Sequence, residues 1–409
     1  MNQFISARHK IALLLSSSLL ITACNHDDDD ASSDGATFSL ENSQYVAVIA
    51  TRASDYSSGD YALINTTNYT SKLRNTINTP SDTAVSTNED DIYQFGKFGI
   101  DTISKFKVTA PESEIWDYST NDTSVDDINS SNPYKIVFAS NEKAYIIRYG
   151  SDQIWIVNPE ASTRENFRLG VLDLSPYADD DFTPEPAEAI VVDGKIYIAI
   201  QRQERPDNFD WNPGLAYIAV FDTSTDLEIE TNVDSATPKG IALSLRNPSV
   251  IKYLSSNNSL YVNAVGRTAA TWIPRDAEYT GGIEQIDLSD YSTSVLIDDG
   301  DSETNIYGNF NNVAVLNSTR GYFVGHNKAG DNMSDLYEFN PTTGDVASSP
   351  IIAATDIADI EIGPYGDLWV ANATDSGVTI ISTFNNEVRK DLISTELVPI
   401  NIEFVSLQD

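Results

Sequence analysis

Asp193-Gly194-Lys195-Ile196-Tyr197-Ile198-Ala199-Ile200, a polar stretch, then Leu215-Ala216-Tyr217-Ile218-Ala219-Val220-Phe221: this passage decides the fold. A β-branched run opened by an aromatic reads as a strand. The Asp-Gly before it supplies the positive φ of a tight hairpin turn. Glu188-Ala189-Ile190-Val191-Val192, on the other side of that turn, is the strand it pairs with. The unit therefore reads strand, tight turn, aromatic-opened strand, polar loop, further strand.

The same grammar recurs along the chain. Aromatic openers stand at Tyr45, Tyr93, Tyr145, Tyr197, Tyr261, Tyr322 and Trp369, with gaps of 48, 52, 52, 64, 61 and 47 residues. Further strands follow them at Tyr61, Thr102, Gln153, Leu215, Gly282, Leu336 and Val378, and earlier strands open near Tyr134, Glu188, Ser249 and Asp359. Tyr365-Gly366-Asp367 repeats the tight turn, and no long 3.6-residue apolar period occurs beyond Cys24. Seven copies of about 54 residues each have room for four short strands. That is the signature of an all-β, seven-bladed β-propeller. The copy at Tyr45 lacks an earlier strand, and Pro399-Ile400-Asn401-Ile402-Glu403-Phe404-Val405 supplies one. A C-terminal strand closing the first blade removes an open edge. An eight-bladed ring and a two-sheet sandwich are the alternatives.

Ahead of the repeats the chain reads as a lipoprotein leader. Arg8, His9 and Lys10 precede an apolar run from Ile11 to Ile21, interrupted only by Ser16–Ser18, and Thr22-Ala23 leads into Cys24. A basic start, an apolar stretch too short to span a bilayer and small residues before a cut are secretory-signal grammar. Residues 1–23 are expected to be removed and Cys24, the sole cysteine, to be lipidated. Residues 24–37, with Asp27–Asp30 and no apolar face, are expected to form an extended acidic tether, and 38–409 the propeller. Asn25 after the cysteine favours export to the outer membrane; the leaflet is left open.

Composition narrows the function classes. The formal net charge is −36, and loss of Arg8 and Lys10 with the leader takes it to −38. Such a surface repels nucleic acid and anionic lipid, so membrane contact is expected through the lipid alone. One cysteine allows no disulfide, Cys-x-x-Cys metal site or haem attachment, and only His26 and His326 survive processing. No metal and no cofactor are expected.

In a propeller the loops leaving the second strand of every blade gather on one face. Those loops carry Arg52, Lys97, Arg148, Arg202, Arg267, then His326 with Lys328, and in the seventh copy only Asn372. Six of seven hold a Lys or Arg although these make up 25 of 409 residues, so a cationic mouth on an acidic body is expected. Phe95, Tyr149, Gln201, Gln203, Trp211, Trp272 and Asn327 come from the same loops. Guanidinium groups bind carboxylate and phosphate in fork geometry, and Tyr and Trp stack flat ligands. The expected ligand site is therefore Arg148, Arg202, Arg267, Lys97, Lys328 and His326, rimmed by Trp211 and Trp272. The alternative is that these cations cap strand ends or pair with nearby carboxylates.

Asp179-Asp180-Asp181 and Asp298-Asp299-Gly300-Asp301-Ser302-Glu303 could hold calcium. The second has Thr304 and Phe310 where a calcium loop places glycine and glutamate, so both read as solvated turns. No Ser-His-Asp pattern is supported by a single histidine in the folded part, and no catalytic residue is assigned. Paired carboxylates for glycoside chemistry remain open.

Pro184-Glu185-Pro186-Ala187-Glu188 and Val192-Asp193-Gly194-Lys195-Ile196-Tyr197-Ile198-Ala199-Ile200-Gln201-Arg202 resemble a segment of secreted propellers of Gram-negative bacteria. Over about residues 40–409 the chain resembles bacterial surface propeller lipoproteins. That resemblance implies capture of a small anionic or metal-chelate ligand, cobalamin or a siderophore, for a TonB-dependent outer-membrane transporter. A protein-binding scaffold and a propeller hydrolase or lyase acting on sugar or lactone are the competing expectations. Fold alone does not decide among them.

Overall fold

The computed structural model describes residues 37–74, 79–122, 130–204, 211–231, 238–267, 278–326 and 333–407. Cys24, the leader and nearly all of the tether lie outside them, as do Trp272, Asn327 and Lys328. Seven four-stranded antiparallel sheets follow one another along the chain. Blades 2 to 7 span residues 83–119, 133–173, 186–242, 248–298, 309–355 and 357–394. Blade 1 takes three strands from 45–73, and Val398–Ser406 is its fourth.

The first strand of each blade packs against the first strand of the next, and 398–406 lies between 357–362 and 83–88. These strands close a ring around a central axis, which makes the fold a seven-bladed β-propeller and disposes of the eight-bladed and sandwich alternatives. Val398–Ser406 pairs antiparallel with Tyr45–Arg52 and serves as the innermost strand of blade 1. In the hairpin between 186–192 and 195–200, Asp193 and Gly194 have φ of 48° and 74°. Those values fit the turn read from their sequence, whose twist matches the flanking strands.

The core lies between blades rather than on the axis. Seven apolar layers each join neighbouring sheets, as where Val46, Val48, Leu63, Val85, Phe106 and Val405 fill the space between blades 1 and 2. Six of the seven aromatic openers, all but Tyr45, belong to this packing. Tyr145 donates to Asp226 Oδ1 at 2.9 Å, Tyr261 to Pro341 O at 3.1 Å and Tyr322 to Asn386 Oδ1 at 3.2 Å. In every case a buried ring of one blade reaches the outer turn of the next. A tyrosine can bury its ring between two sheets because its hydroxyl still finds a partner at the far side.

Six of the seven inner strands carry a β-bulge near their start. The unpaired extra residue is Tyr134, Ala187, Ser249, Asn311, Ala358 or Ile400, and only the inner strand of blade 2 runs without one there. Bulges re-aim the side chains that follow them. Here the re-aimed residues face the axis.

Candidate functional site

The residues after the bulges, Lys135, Glu188, Val250, Asn312, Asp359 and Asn401, together with Val85 of blade 2, ring a central cavity of about 190 Å³. Lys252, Glu361 and Glu403 form a second tier two residues further along their strands. Because these are the early residues of the inner strands, the cavity occupies the half of the channel nearest the face where those strands begin. The second strands of all blades end on that same face, as the pairing of Pro133 with Arg148 and Thr83 with Gly96 shows. This is the face anticipated for the mouth.

Neighbouring blades are stitched around the upper tier. Lys135 Nζ lies 2.9 Å from Glu188. Asn312 donates through Nδ2 to Asp359 Oδ1, and Asp359 Oδ2 accepts from the Ile402 amide at 2.7 Å. Asn401 closes the seam between blades 1 and 2 by donating to Val85 O at 3.1 Å and accepting from Val85 N at 3.2 Å. In the lower tier Lys252 pairs directly with Glu361. The carboxylate of Glu403 makes no hydrogen bond or ion pair with any described residue, although both lysines and both glutamates influence it through space. Four carboxylates therefore share the channel with two ammonium groups.

Lys135 and Lys252 keep 30 % and 25 % of their side-chain surface open toward the channel, yet protein encloses them on all sides. Burial opposes their charge, but Glu188 and Glu403 around Lys135, and Glu361 and Asp359 around Lys252, outweigh it. Both ammonium groups consequently titrate above the usual lysine range. For the acids burial prevails: Asp359 is raised to about 6 and Glu403 to about 7. A carboxyl near 4.3 in the unfolded chain and near 7 when folded binds an extra proton between those values only in the fold. Its stabilising effect is complete below the lower value and is lost as pH rises through the upper one. Glu403→Gln should therefore gain stability relative to wild type on going from pH 5 to pH 8, by on the order of 1–2 kcal/mol. Paired thermal melts at the two pH values measure it, and equal differences at both would contradict the assignment.

Above this cavity, Lys97 lies on its lining with 22 % of its side chain exposed, 3.6 Å from Asp82, its ammonium 4.1 Å above the Tyr134 ring. Tyr134 stacks on Tyr149 at 4.5 Å, and the Tyr149 hydroxyl donates to Gln201 Oε1 at 2.9 Å. Gln203 continues the chain to Asn247 Oδ1 at 2.7 Å. One connected aromatic and amide rim thus runs from blade 2 to blade 5. Tyr149, Gln201 and Gln203, read as loop residues, are its buried parts.

Arg148, Arg202, Arg267, His326 and Trp211 take different positions and are not among the described residues lining the cavity. Arg148 is 1 % exposed and donates to Thr120 O at 3.0 Å, Ser151 Oγ at 3.0 Å and Gln153 O at 3.2 Å, with Trp155 beneath it. Arg202 is half-buried with φ of 52°, its guanidinium 5.9 Å from the Tyr217 ring. Arg267 pairs with Glu278. His326 Nδ1 lies 3.0 Å from Ser334 Oγ, and Trp211 is 37 % exposed on its loop. Phe95, expected at the rim, is fully buried between blades 2 and 3.

Among the described residues one carboxylate group could share a cation: Asp179, Asp181 and Glu185, with ligand oxygens within 4.8 Å of one another. Thr183 already donates to Asp181, and Glu185 accepts from the Gln203 amide at 2.8 Å. In the second acidic loop Asp299 turns inward to the Gly281 amide, while Asp301 accepts from Glu303 and Thr304 within its own turn. Those carboxylates do not converge, and the turn reading describes them.

No family model matches the chain, and no curated protein matches it. Solved structures do. A 6-phosphogluconolactonase candidate from Bacteroides fragilis superposes with a TM-score of 0.56 at 12% identity, covering 90% of this chain and 99% of its own. Hydrazine synthase from Kuenenia stuttgartiensis gives 0.53 at 12% identity over 86% of this chain and 98% of its own. Apo AztD from Citrobacter koseri gives 0.50 at 12% identity over 88% and 98%. At such identities the likeness is one of fold.

Proposed function

We propose that this chain is a ligand-binding propeller, lipid-anchored through Cys24 at the outer membrane, that captures a small charged solute at its mouth face for a TonB-dependent transporter. The observation that carries the binding reading is the charged cavity that opens beside Lys97 and the Tyr134–Tyr149 stack. Concave sites with a few convergent polar groups are the usual form of a small-ligand pocket. No Ser, Thr, Cys or His lines it among the described residues, which favours binding over nucleophilic chemistry. Its volume is below the roughly 300–1,000 Å³ of pockets for drug-sized ligands. A siderophore or tetrapyrrole would therefore rest over the mouth, with only a small group entering the channel.

A second reading, a protein-binding scaffold, is favoured by one observation. Tyr56, Phe98, Phe182, Trp211, Leu215, Ile306 and Met333 are all exposed, and all sit on loops of the mouth face. A transporter or another protein could dock there, since these are seven of the sixteen large apolar side chains exposed among the described residues and exposed apolar patches mark interaction surfaces.

Lys97 separates the readings. Lys97→Ala should leave the melting temperature nearly unchanged, because the ion pair it loses is partly exposed. It should weaken retention of a natively co-purified small molecule roughly ten- to hundred-fold, as expected for one charge-assisted contact. Mass spectrometry of the native protein, followed by titration calorimetry, reads this. A native preparation that carries nothing, together with no binding across chelate, anionic and amphoteric panels, would remove the capture reading and leave the scaffold. Fatty-acid labelling of wild type but not Cys24→Ser tests the anchor separately.

A further inference from the structure

We infer that the channel ligand is an amino-acid-sized zwitterion whose ammonium group is received by Glu403 while its acidic end meets Lys97 at the mouth. The inference rests on the binding reading above and narrows it to a chemical class.

The channel's own pairing leads there. Lys135 is held by Glu188, Lys252 by Glu361, and Asp359 accepts from Asn312, from the Ile402 amide and from the Ile360 amide at 2.9 Å. Glu403 alone of these six charged groups lacks a direct partner among the described residues. Four carboxylates against Lys135 and Lys252 leave two formal negative charges along the channel, or one when Lys97 at the mouth is counted. A simple anion passing the mouth would move into that field, where each lysine is already paired with a carboxylate. An ammonium group would find an unused carboxylate, and burying a cation is tolerable only with such a partner.

At the mouth the signs reverse. The ammonium of Lys97 is held only loosely, 3.6 Å from Asp82, and stands over the Tyr134 ring. It remains able to meet a carboxylate or similar acid. Opposite preferences at the two ends select a ligand carrying both charges. The cavity of about 190 Å³ equals roughly six water molecules by liquid volume, which suits a molecule of amino-acid size.

The electrostatics of Glu403 add a signature. The groups facing it are Lys135 and Glu188 from blades 3 and 4, Lys252 from blade 5 and Glu361 from blade 7, and burial among them lifts its carboxyl to about 7. An arriving ammonium favours the ionised form and expels the proton. Binding should release protons below neutrality, and affinity should fall as pH is lowered from 8 to 6.

The experiment is titration calorimetry on the intact folded chain. The probes are the common amino acids, γ-aminobutyrate and glycine betaine, each with its des-amino carboxylic acid, in buffers of differing ionisation enthalpy. One amine-bearing probe should bind, its des-amino partner at least ten-fold more weakly, with proton release near pH 6.5. Glu403→Gln should lose ten-fold or more in affinity and the proton release, while its melting curve confirms folding. Binding of a des-amino acid as tight as its amine, or unchanged affinity in Glu403→Gln, overturns the ammonium assignment and leaves capture standing. Silence of this panel while chelates or simple anions bind overturns it too. Silence of every panel removes the binding reading itself.

Discussion

Deleting residues 398–407 should abolish cooperative folding rather than trim one blade. The excised strand pairs along the whole of Tyr45–Arg52 and buries Ile402 and Val405 at 2 % and 0 % exposure. It also joins three blades. Asn401 bonds Val85, Thr87 donates to Phe404 O at 2.8 Å, and Asp359 accepts the Ile402 amide. Phe404 packs edge-on against Trp369 of blade 7 at 5.3 Å. Without it Tyr45–Arg52 becomes a long unpaired edge, a template for association with other chains. Sedimentation and thermal melts should show aggregation and no sharp transition. A point variant carries the same argument with less disruption. Val405→Asp places a charge in the apolar layer between blades 1 and 2 and should cost roughly 4 kcal/mol or more. A melting temperature within about 2 °C of wild type would contradict closure by this strand.

Arg148→Ala should rank next in effect, through stability. Its guanidinium is 1 % exposed, donates to two main-chain carbonyls and one hydroxyl, and lies 4.7 Å over Trp155. Truncation strands those acceptors and opens a cavity, for an expected loss of roughly 3 kcal/mol or more. Arg148→Lys should rescue little, because one ammonium cannot reproduce the planar fork. Ligand affinity per folded molecule should stay near wild type, the reverse of Lys97→Ala. Unchanged melting with lost binding would instead return Arg148 to the ligand.

The architecture was legible because its physical causes leave marks at fixed places. In blades 3 to 6 a tyrosine near the start of the second strand bridges two sheets, so Tyr145, Tyr197, Tyr261 and Tyr322 show the period. Asp193-Gly194 marks its turn by chemistry alone, and the missing strand before Tyr45 pointed to 399–405. The channel was not legible for an equally physical reason. Bulges break the period of two, so Lys135 and Glu188 look like ordinary strand residues until the extra residues Tyr134 and Ala187 are known. The usable sign was the proline two places earlier, at 133, 186, 248 and 399, first or second residue of four inner strands. Nor does charge at a strand end distinguish Lys97, over an open cavity, from Arg148, saturated by carbonyls. That difference is made by loops distant in sequence, such as the one bearing Thr120.

The bulged tier has an evolutionary consequence. Of the seven positions facing the axis, the polar five, Lys135, Glu188, Asn312, Asp359 and Asn401, stand apart from the apolar layers between blades, whereas Val85 and Val250 pack against them. A substitution at Asn312 or Asn401 rewrites one letter of the channel without entering those layers. Lineages built on this ring can therefore drift from one solute to another in single steps, each intermediate still folded. Recognition and architecture are inherited separately.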